Sequence, residues 1–383
     1  MTQPPTATPR TPPRRPQQGM TLLELLVVIA LMSVVGFMAL SQVGDDLNQA
    51  RYEDTRNRLE MIRKAIIGDT SRTLNGQPEI RGFVADMGRL PANLQELIER
   101  EFCSNPVLGQ AACTGAETWT SMPAYAHDAT AGLWAGWNGP YLNASPESDY
   151  PRFRDGWGND NGSNDFGWVF NDSGGAGPLL VQSTGMDGTA GGSDYDADYP
   201  PTGSETLIED GQWRVTVTDS LGAGGIQIDF GAPASCWRCS DGLSTDRTTC
   251  EFSDDWYPDS TIPDAAACTA LGGAAWRPTD NLCLRLLRRQ NGTFDTNGDS
   301  TVDTADALES NGAVSVTWDG SRKVETFVFA SGTFVPQGVS LVRVYTHDGV
   351  ATCETTEFPS GQDSLAVALI PGVATLPLPW PVQ

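Results

Sequence analysis

Oxygen-bearing side chains recur at regular intervals in one segment late in this sequence. In residues 295–306, which read DTNGDSTVDTAD, they occupy the first, third, fifth, ninth and twelfth positions, and the carbonyl of Thr301 stands at the seventh. The side chains are those of Asp295, Asn297, Asp299, Asp303 and Asp306. Because Ca²⁺ binds about six to eight oxygens, this spacing predicts a calcium loop. A polar hairpin with an Asn-Gly turn is the alternative, and it explains part of the same string.

The segment resembles an EF-hand-type loop of the dockerin kind, and the resemblance implies Ca²⁺ as the cofactor. It departs from that pattern at the sixth position, where Ser300 replaces the usual glycine, and at the twelfth, where Asp306 replaces glutamate. Gly298 lies two residues before Ser300 and can ease the turn.

Side chains for catalysis are scarce. The sequence has two histidines, His127 and His347, and neither stands in a nucleophile or metal-ligand signature. The clustered aspartates are better explained as calcium ligands than as a general acid and base. We therefore expect that the protein is not an enzyme.

The balance of charge argues against one class of partner. The chain has 24 Lys and Arg against 48 Asp and Glu, which gives a formal net charge of −24. A surface with this excess of acids repels a phosphate backbone. We therefore expect no nucleic acid partner.

The first forty residues divide into a leader and an apolar segment. Residues 1–19 are rich in Pro and Thr and carry three arginines and no acid, which is typical of a leader. Residues 20–40 have only Thr21, Glu24 and Ser33 as distinctly polar residues, and a helix of that length spans about 30 Å, so they predict a transmembrane helix. No small-residue cleavage site closes the apolar run, so we expect the segment to be retained. Arginines before it and acids after it predict a single pass with the carboxyl-terminal part outside the cytoplasm.

Residues 19–24, GMTLLE, followed by the apolar run, resemble the class III signal of type IV pilins and pseudopilins. The resemblance implies that a prepilin peptidase cuts after Gly19, that Met20 becomes the N-methylated first residue, and that Glu24 helps subunits dock into a filament. An ionised Glu24 in hydrocarbon costs roughly 3 kcal/mol without a partner, which agrees with that role. A plain signal anchor with a chance glutamate is the alternative.

Residues 41–69 are predicted to continue the helix as an amphipathic half. Leu59, Ile62 and Ile66 recur at helical spacing, and Gly68 provides a stop. One helix from Met20 would be roughly 70 Å long, which is the spine helix that the resemblance implies. An independent coiled-coil stalk is the alternative, but no heptads persist long enough to favour it.

Residues 70–200 contain two turn-rich segments with aromatic residues, WNGPYL at 137–142 and DGWGN at 155–159. Together these segments resemble the head of the major pseudopilin of type II secretion systems, where they precede a short sheet and a calcium loop. Residues 183–200, STGMDGTAGGSDYDADYP, are similar to that calcium loop.

A glycine-rich loop can turn its carbonyl oxygens toward Ca²⁺, which supports the resemblance of residues 183–200. By this resemblance Asp187 and Asp194 match the family's ligand positions. Tyr195 separates acids that are adjacent in the family, so either Asp196 or Asp198 supplies the last ligand. A solvated acidic loop is the alternative.

Residues 201–383 form a carboxyl-terminal extension, and most of it has no counterpart in the short pseudopilins. Its alternating apolar and polar residues predict an antiparallel, β-rich unit. The predicted strands begin at Gln212, Gly225, Ala313, Lys323, Ser340 and Ser364.

All eight cysteines follow the apolar segment and so fall outside the cytoplasm, where disulfides persist. We expect Cys103 and Cys113 to pair locally, and the others to staple residues 236–283 onto the strands in a pairing that stays open. Cys236 and Cys239 form a CxxC, for which a redox pair or half of a zinc site is the alternative, but no second CxxC or histidine follows at ligand spacing. The remaining candidates are Cys250, Cys268, Cys283 and Cys353.

The sequence thus predicts an α+β fold. It has a long amino-terminal spine helix, transmembrane in its first half and amphipathic in its second, an antiparallel β head, and a disulfide-stapled, β-rich extension. The resemblance implies a minor pilin or pseudopilin of a type II secretion pseudopilus or type IV pilus-like filament. Its partners would be other subunits, the prepilin peptidase and the inner-membrane assembly platform.

The resemblance also implies a location and leaves an alternative function. The chain would be a single-pass protein of the bacterial inner membrane with a periplasmic carboxyl-terminal part, extracted into a periplasmic or cell-surface filament. The alternative is a calcium-stabilised pilus-tip adhesin or cargo-binding module, whose extension contacts a surface ligand or a secreted cargo.

Overall fold

The structure is a computed structural model that describes residues 21–69, 71–74, 77–103, 119–147, 150–175, 177–204, 206–217, 224–244, 247–250, 256–259, 261–262, 264–271, 274–276, 279–359 and 361–382. The leader and the residues Gly19, Met20 and Cys113 lie outside this part of the chain. The chain divides into two compact units, Met1–Glu53 and Asp54–Gln383.

The longest described element is helix α1, Leu22–Ile67. No proline interrupts it, and the carbonyl of Thr21 accepts the N–H of Leu25 at its start (3.1 Å). It ends at the predicted stop, because Gly68 takes a φ of +81° and donates its N–H to the carbonyl of Lys64 (2.9 Å). A Cβ at Gly68 would lie 2.5 Å from the carbonyl oxygen of Arg81, so only glycine fits there.

The predictions for the two halves of the spine helix have different outcomes. Residues 41–69, the amphipathic half, are helical up to Ile67. Within the described residues, none of the helices combines the length and the apolar character that crossing a membrane requires. The prediction of a transmembrane half at 20–40 is not confirmed.

The other described helices are short. They are α2 Phe83–Met87, α3 Asp210–Trp213, α4 Arg247–Cys250 and α5 Ala265–Thr269. Single 3-10 turns occur at Leu94–Leu97, Ser173–Gly175, Asp194–Asp196 and Thr304–Asp306. The first of these is capped by Asn93, whose side chain accepts the N–H of Glu96 (3.2 Å).

The strands of the head are short and mostly paired as hairpins. They are β1 Thr73–Leu74, β2 Gln77–Pro78, β3 Glu101–Cys103, β4 Trp119–Ser121, β5 Ala126–Asp128, β6 Leu133–Ala135, β7 Ser145–Glu147, β8 Tyr150–Arg152, β9 Val169–Asn171, β10 Leu179–Gln182 and β11 Thr206–Ile208. The first eight form four antiparallel hairpins, and β11, β10 and β9 form an antiparallel sheet. This sheet carries the loop that follows β10.

The core of the head packs against the last turns of α1. Leu59, Ile62 and Ile66 are buried there, as the helical spacing predicted. They share one apolar cluster with Phe83 and Met87 of α2. Each fully buried aliphatic side chain contributes about 2 kcal/mol, so this contact holds the end of α1 in the head.

The extension is built on longer strands. They are β12 Arg214–Thr216, β13 Ile226–Gly231, β14 Cys236–Cys239, β15 Trp256–Pro258, β16 Ala274–Trp276, β17 Thr279–Leu287, β18 Leu308–Glu309, β19 Val314–Thr317, β20 Lys323–Phe327, β21 Phe334–Pro336, β22 Gly338–His347, β23 Cys353–Glu357, β24 Leu365–Leu369 and β25 Leu378–Pro379. Their pairings are antiparallel except β13 with β25. The strand predicted from Gln212 is corrected, because α3 occupies its first residues and β12 starts at Arg214.

A six-stranded sheet forms the centre of the extension. Its strands β17 and β22 pair directly, and β18, β19, β23 and β24 flank them. Alternate residues of this sheet enter a second apolar core, in which the rings of Trp318 and Phe358 stack 5.7 Å apart. The head and the extension therefore each have a core of their own.

Three disulfides lie in the described part of the extension: Cys236–Cys268, Cys239–Cys250 and Cys283–Cys353. The last joins β17 to β23. The first two close residues 236–268 on themselves, whereas Cys283–Cys353 ties the end of residues 236–283 to β23, so the expected stapling holds for this pair and is corrected for the other two. Cys236 and Cys239 have separate partners, which contradicts the redox and zinc alternatives. The predicted Cys103–Cys113 pair falls partly outside the described residues.

Two of the hydrogen bonds that join the extension to the head lie at the end of α1 and at the end of α2. The side-chain amide of Gln337 donates to the carbonyl of Ile67 at the end of α1 (2.7 Å). The N–H of Gly292 donates to the carbonyl of Met87 (2.8 Å). Both bonds lie within the unit Asp54–Gln383.

Candidate functional site

The predicted docking residue, Glu24, lies in the first turn of α1. Its N–H donates to the hydroxyl of Thr21 (3.3 Å), and its side chain is exposed. Every described side chain from Thr21 to Met38 is also exposed. The processing pair Gly19 and Met20 lies outside the described residues.

The loop at 183–200 is closed at its base by backbone hydrogen bonds. Ser183 and Tyr199 exchange both N–H groups and carbonyls (2.8 and 2.9 Å). Just outside them, the side-chain amide of Gln182 donates to the carbonyl of Pro200 (2.8 Å). Because β10 ends at Gln182, the head sheet sets where the loop begins.

A buried carboxylate, Asp155, ties this loop to the DGWGN segment. Its Oδ1 accepts the N–H groups of Trp157, Gly158 and Asn159 (3.1, 2.8 and 3.0 Å). Its Oδ2 accepts the hydroxyl of Ser183 (2.6 Å) and the side-chain amide of Asn159 (2.8 Å). With five accepted bonds, Asp155 fixes the position of the two segments relative to each other.

Two of the four candidate ligands in the loop keep a buried oxygen without a hydrogen-bond partner. Asp198 is 8% exposed, and its Oδ2 accepts the N–H of Gly191 (2.9 Å). Within the described residues, Oδ1 of Asp198 and Oδ1 of Asp196 have no hydrogen-bond partner. Buried carboxylate oxygens normally have a hydrogen-bond partner, so these two are the oxygens of the loop that could accept a cation.

The other two candidates are exposed. Asp187 accepts the N–H and the hydroxyl of Thr189 (3.0 and 2.7 Å), and these bonds lower the pKa of its carboxyl. Asp194 begins the 3-10 turn with a φ of +54°. The structure therefore brings Asp196 and Asp198 into the loop interior and leaves Asp187 and Asp194 at its surface.

Glycines allow the chain to approach the carbonyl of Asp196 closely. A Cβ at Gly185 or at Gly192 would lie 2.5 Å from that oxygen. Both glycines have a positive φ, +69° and +91°. The glycine-rich composition of the loop thus has a local steric reason.

The second loop, at 295–306, is organised by its own carboxylates. Asp295 accepts the N–H groups of Gly298 (2.6 Å) and Ser300 (2.8 Å). Asp306 is buried and accepts the N–H groups of Thr296 and Asn297 through Oδ1 (2.6 and 3.0 Å). Burial by itself would raise the pKa of Asp306, but these bonds and that from the Asp303 N–H outweigh it and lower the pKa.

The remaining side chains of the second loop form turns along its exposed edge. Asn297 accepts the N–H of Asp299 (2.9 Å), and Asp299 accepts the N–H of Thr301 (2.8 Å). Asp303 accepts the N–H of Ala305 (2.7 Å) and so caps the 3-10 turn at Thr304–Asp306. The loop has oxygen donors only, which is the donor chemistry that Ca²⁺ prefers.

The sixth position of this loop requires left-handed backbone. Ser300 has a φ of +70°, although it is not glycine, and Gly298 has a φ of +80°. The sequence comparison with EF-hand-type loops therefore identified a real departure. Left-handed backbone costs a residue with a Cβ about 1–2 kcal/mol.

Replacing Ser300 by glycine is expected to stabilise the folded protein by about 0.5–1 kcal/mol. The gain from relieving left-handed strain exceeds the added entropy of the unfolded chain. Urea unfolding of the full chain measures the difference. The control is Ser331→Gly, an exposed position outside the left-handed region, which should destabilise slightly; equal effects of the two variants would contradict the assignment of strain.

Neither loop gathers a full set of carboxylates around one point. In the part of the chain that the structure describes, no three His, Cys, Asp or Glu side chains come together as metal ligands. In the first loop, Oδ1 of Asp196 and Oδ1 of Asp198 are the buried carboxylate oxygens without a hydrogen-bond partner in the described residues. The second loop fits a calcium ion only in the type of its ligands, which are all oxygens.

Sequence reasoning missed Asp155 and Asn159. Both belong to the DGWGN segment, which was recognised only as a turn-rich part of the head. Asn159 also donates its side-chain amide to the carbonyl of Gly185 (2.7 Å). An aspartate before three turn residues indicates a backbone-capping role, but its bond to Ser183 depends on the fold.

Comparisons with known proteins match the amino-terminal part of the chain. Neither the curated proteins nor the solved structures gave a match to this chain. Residues 14–40 match the family described as the prokaryotic N-terminal methylation motif. This stretch includes Gly19, Met20 and Glu24, so the chain carries the class III signal of pilin-like precursors.

Proposed function

We propose that this chain is a minor pilin or pseudopilin subunit of a type II secretion pseudopilus or type IV pilus-like filament. Its matched signal, residues 14–40, is that of a pilin-type precursor. Such precursors are processed by a prepilin peptidase and assemble with other pilin subunits. The bulk of residues 201–383 favours a minor subunit over a densely repeated one.

Helix α1 is the observation that carries this proposal. Leu22, Leu23 and Phe37 are 77%, 74% and 75% exposed, whereas Ile62 and Ile66 of the same helix are fully buried in the head. A helix segment that is apolar on all sides needs neighbouring helices or lipid acyl chains around it. A subunit that is held in the membrane and then packed into a filament core meets that need at both stages.

The proposed location follows from the same signal. The chain would be anchored in the bacterial inner membrane with residues beyond α1 in the periplasm, and an inner-membrane assembly platform would move it into the filament. The disulfides of the extension agree with an oxidising compartment.

Calcium is the proposed cofactor of the head and the extension. In the first loop Asp187, Asp194, Asp196 and Asp198 would hold it. In the second loop the ligands would be Asp295, Asn297, Asp299, Asp303, Asp306 and the carbonyl of Thr301. The ion would neutralise neighbouring carboxylates and hold each loop in one conformation.

The proposal is tested by separating processing from assembly. Glu24→Ala should be cut after Gly19 but enter filaments poorly, because the new amine of Met20 loses a carboxylate partner on the neighbouring subunit. Gly19→Val should stay uncut in the membrane. Intact mass measures the cleavage, and immunoblotting of sheared filaments measures incorporation.

Asp46→Ala is the matched control, because it removes an exposed carboxylate from the same helix. It should be processed and incorporated like the parent chain. Incorporation of Glu24→Ala at the parental level would contradict the docking role. Efficient cleavage of Gly19→Val would contradict the processing site.

A further inference from the structure

The head contains a polar cavity of about 680 Å³. The proposed role as a filament subunit does not require this cavity. Its wall comprises the end of α1, the segment before α2, and the turn that precedes Tyr141. This volume is within the range of about 300–1,000 Å³ that is typical of small-molecule sites. We propose that the cavity is a binding site for a neutral saccharide, a role that does not depend on the filament function.

The charges of the cavity favour a neutral ligand. Three cations, Lys64, Arg72 and Arg81, and three acids, Asp69, Glu79 and Asp86, line it, so the formal charges cancel. Two pairs are in contact, since Lys64 lies 3.9 Å from Asp69 and Arg81 lies 2.6 Å from Glu79. A protein with a net charge of −24 thus has a locally balanced cavity rich in hydrogen-bond donors and acceptors.

One wall of the cavity is held by a short hydrogen-bond chain. The hydroxyl of Tyr141 accepts the N–H of Asn138 (2.9 Å) and donates to Oδ2 of Asp86 (3.0 Å). Burial raises the pKa of Asp86. These hydrogen bonds hold the phenol of Tyr141 and the carboxyl group of Asp86 in place. Hydroxyl groups of a ligand can therefore bind them without the entropy cost of ordering the two side chains.

One exposed aromatic ring, that of Tyr125, lines the cavity and stacks on a neighbour outside it. Tyr125 lines it and is 39% exposed, and its ring stacks on that of Trp134 with centroids 5.3 Å apart at 18°. Trp134 is 49% exposed. Its carbonyl accepts the Nε–H of Arg289 (2.9 Å), which anchors the β5–β6 hairpin to the extension.

The polar cavity and the ring of Tyr125 together match the two kinds of surface that a sugar ring presents, its C–H groups and its hydroxyl groups. The C–H groups of a sugar carry a small positive charge and pack on the negative face of an aromatic ring. The hydroxyl groups of the sugar need donors and acceptors together, which the cavity supplies. An apolar ligand would leave these polar groups unpaired, and an anion or a cation would meet as much repulsion as attraction.

The test uses the full chain in a zwitterionic detergent without a sugar headgroup. A glycan array that carries neutral, sialylated and sulfated glycans identifies the ligand class, and titration of the best glycan with tryptophan fluorescence measures its affinity. We expect neutral glycans to bind. Tyr125→Ala should weaken binding by about tenfold, because the ring that stacks on the ligand is lost.

Two variants serve as matched controls. Tyr125→Phe keeps the ring and should bind within about twofold of the parent chain. Trp119→Ala removes an indole that is 54% exposed and does not line the cavity, and it should leave affinity unchanged. Absence of any neutral ligand, binding of acidic glycans alone, equal losses in Trp119→Ala and Tyr125→Ala, or loss of binding in Tyr125→Phe would each overturn the proposal.

Discussion

Chelation of calcium is expected to lower the melting temperature of the full chain by about 5–10 °C. Without a cation, the acids within each proposed loop repel each other. An ion present at about 100 times its Kd stabilises the folded state by about 2.7 kcal/mol. For a domain of about 150–250 residues, 1 kcal/mol corresponds to about 2–4 °C. Thermal melts in calcium and in excess chelator measure the effect.

Variants assign the effect to a loop. Asp198→Asn removes one charge from the first loop and keeps an acceptor for the N–H of Gly191, and Asp299→Asn does the same in the second loop for the N–H of Thr301. Each should reduce the difference between the two melts. Asp363→Asn, an exposed acid outside both loops, is the control and should not. Identical melts of the parent chain in calcium and chelator would contradict a structural role for the ion.

Features that depend on neighbouring residues could be predicted from the sequence. The spacing of Leu59, Ile62 and Ile66 gave the buried face of α1, and Gly68 marked its end, because a helix is set by contacts within a few residues. Most predicted strands of the extension were placed to within a few residues by their alternation.

Features that depend on distant contacts could not be predicted. The long strand β17 was missed because its buried run, Leu282–Leu286, lacks clear alternation and is a strand only by pairing with β18, β19 and β22. The partners of Cys236 and Cys239 were open for the same reason. Both depend on which segments the fold brings together.

The same distinction between local and distant contacts applies to the candidate site. The acids of both loops were identified from composition and spacing, which are local. Their surroundings were not, because the burial of Asp198 follows from the closure of the loop on β10, and Asp155 reaches Ser183 across 28 positions of sequence. Acids within one loop therefore differ in burial and in hydrogen-bond partners, although their side chains are the same.

Asp155→Ala is expected to destabilise the protein by about 3–5 kcal/mol. Asp155 is 4% exposed, so its removal leaves three backbone N–H groups and the hydroxyl of Ser183 without their acceptor in a place that water reaches poorly. A buried donor left unsatisfied costs about 1–3 kcal/mol, and partial relaxation reduces the sum. Urea unfolding measures the loss. Limited proteolysis should also cut the loop at 183–200 sooner, because its bond to the DGWGN segment is gone.

Asp348 provides a matched control, because its carboxylate makes the same kind of bonds at the surface. Its Oδ1 accepts the N–H groups of Val350, Ala351 and Thr352 (2.8, 2.8 and 3.0 Å), and its Oδ2 accepts the hydroxyl of Thr352 (2.9 Å). Asp348 is exposed, so water can replace it, and Asp348→Ala should cost about 1 kcal/mol. If both variants lose the same stability, burial does not decide the strength of these bonds. In that case Asp155 would be an ordinary turn residue and would not tie the loop to the head.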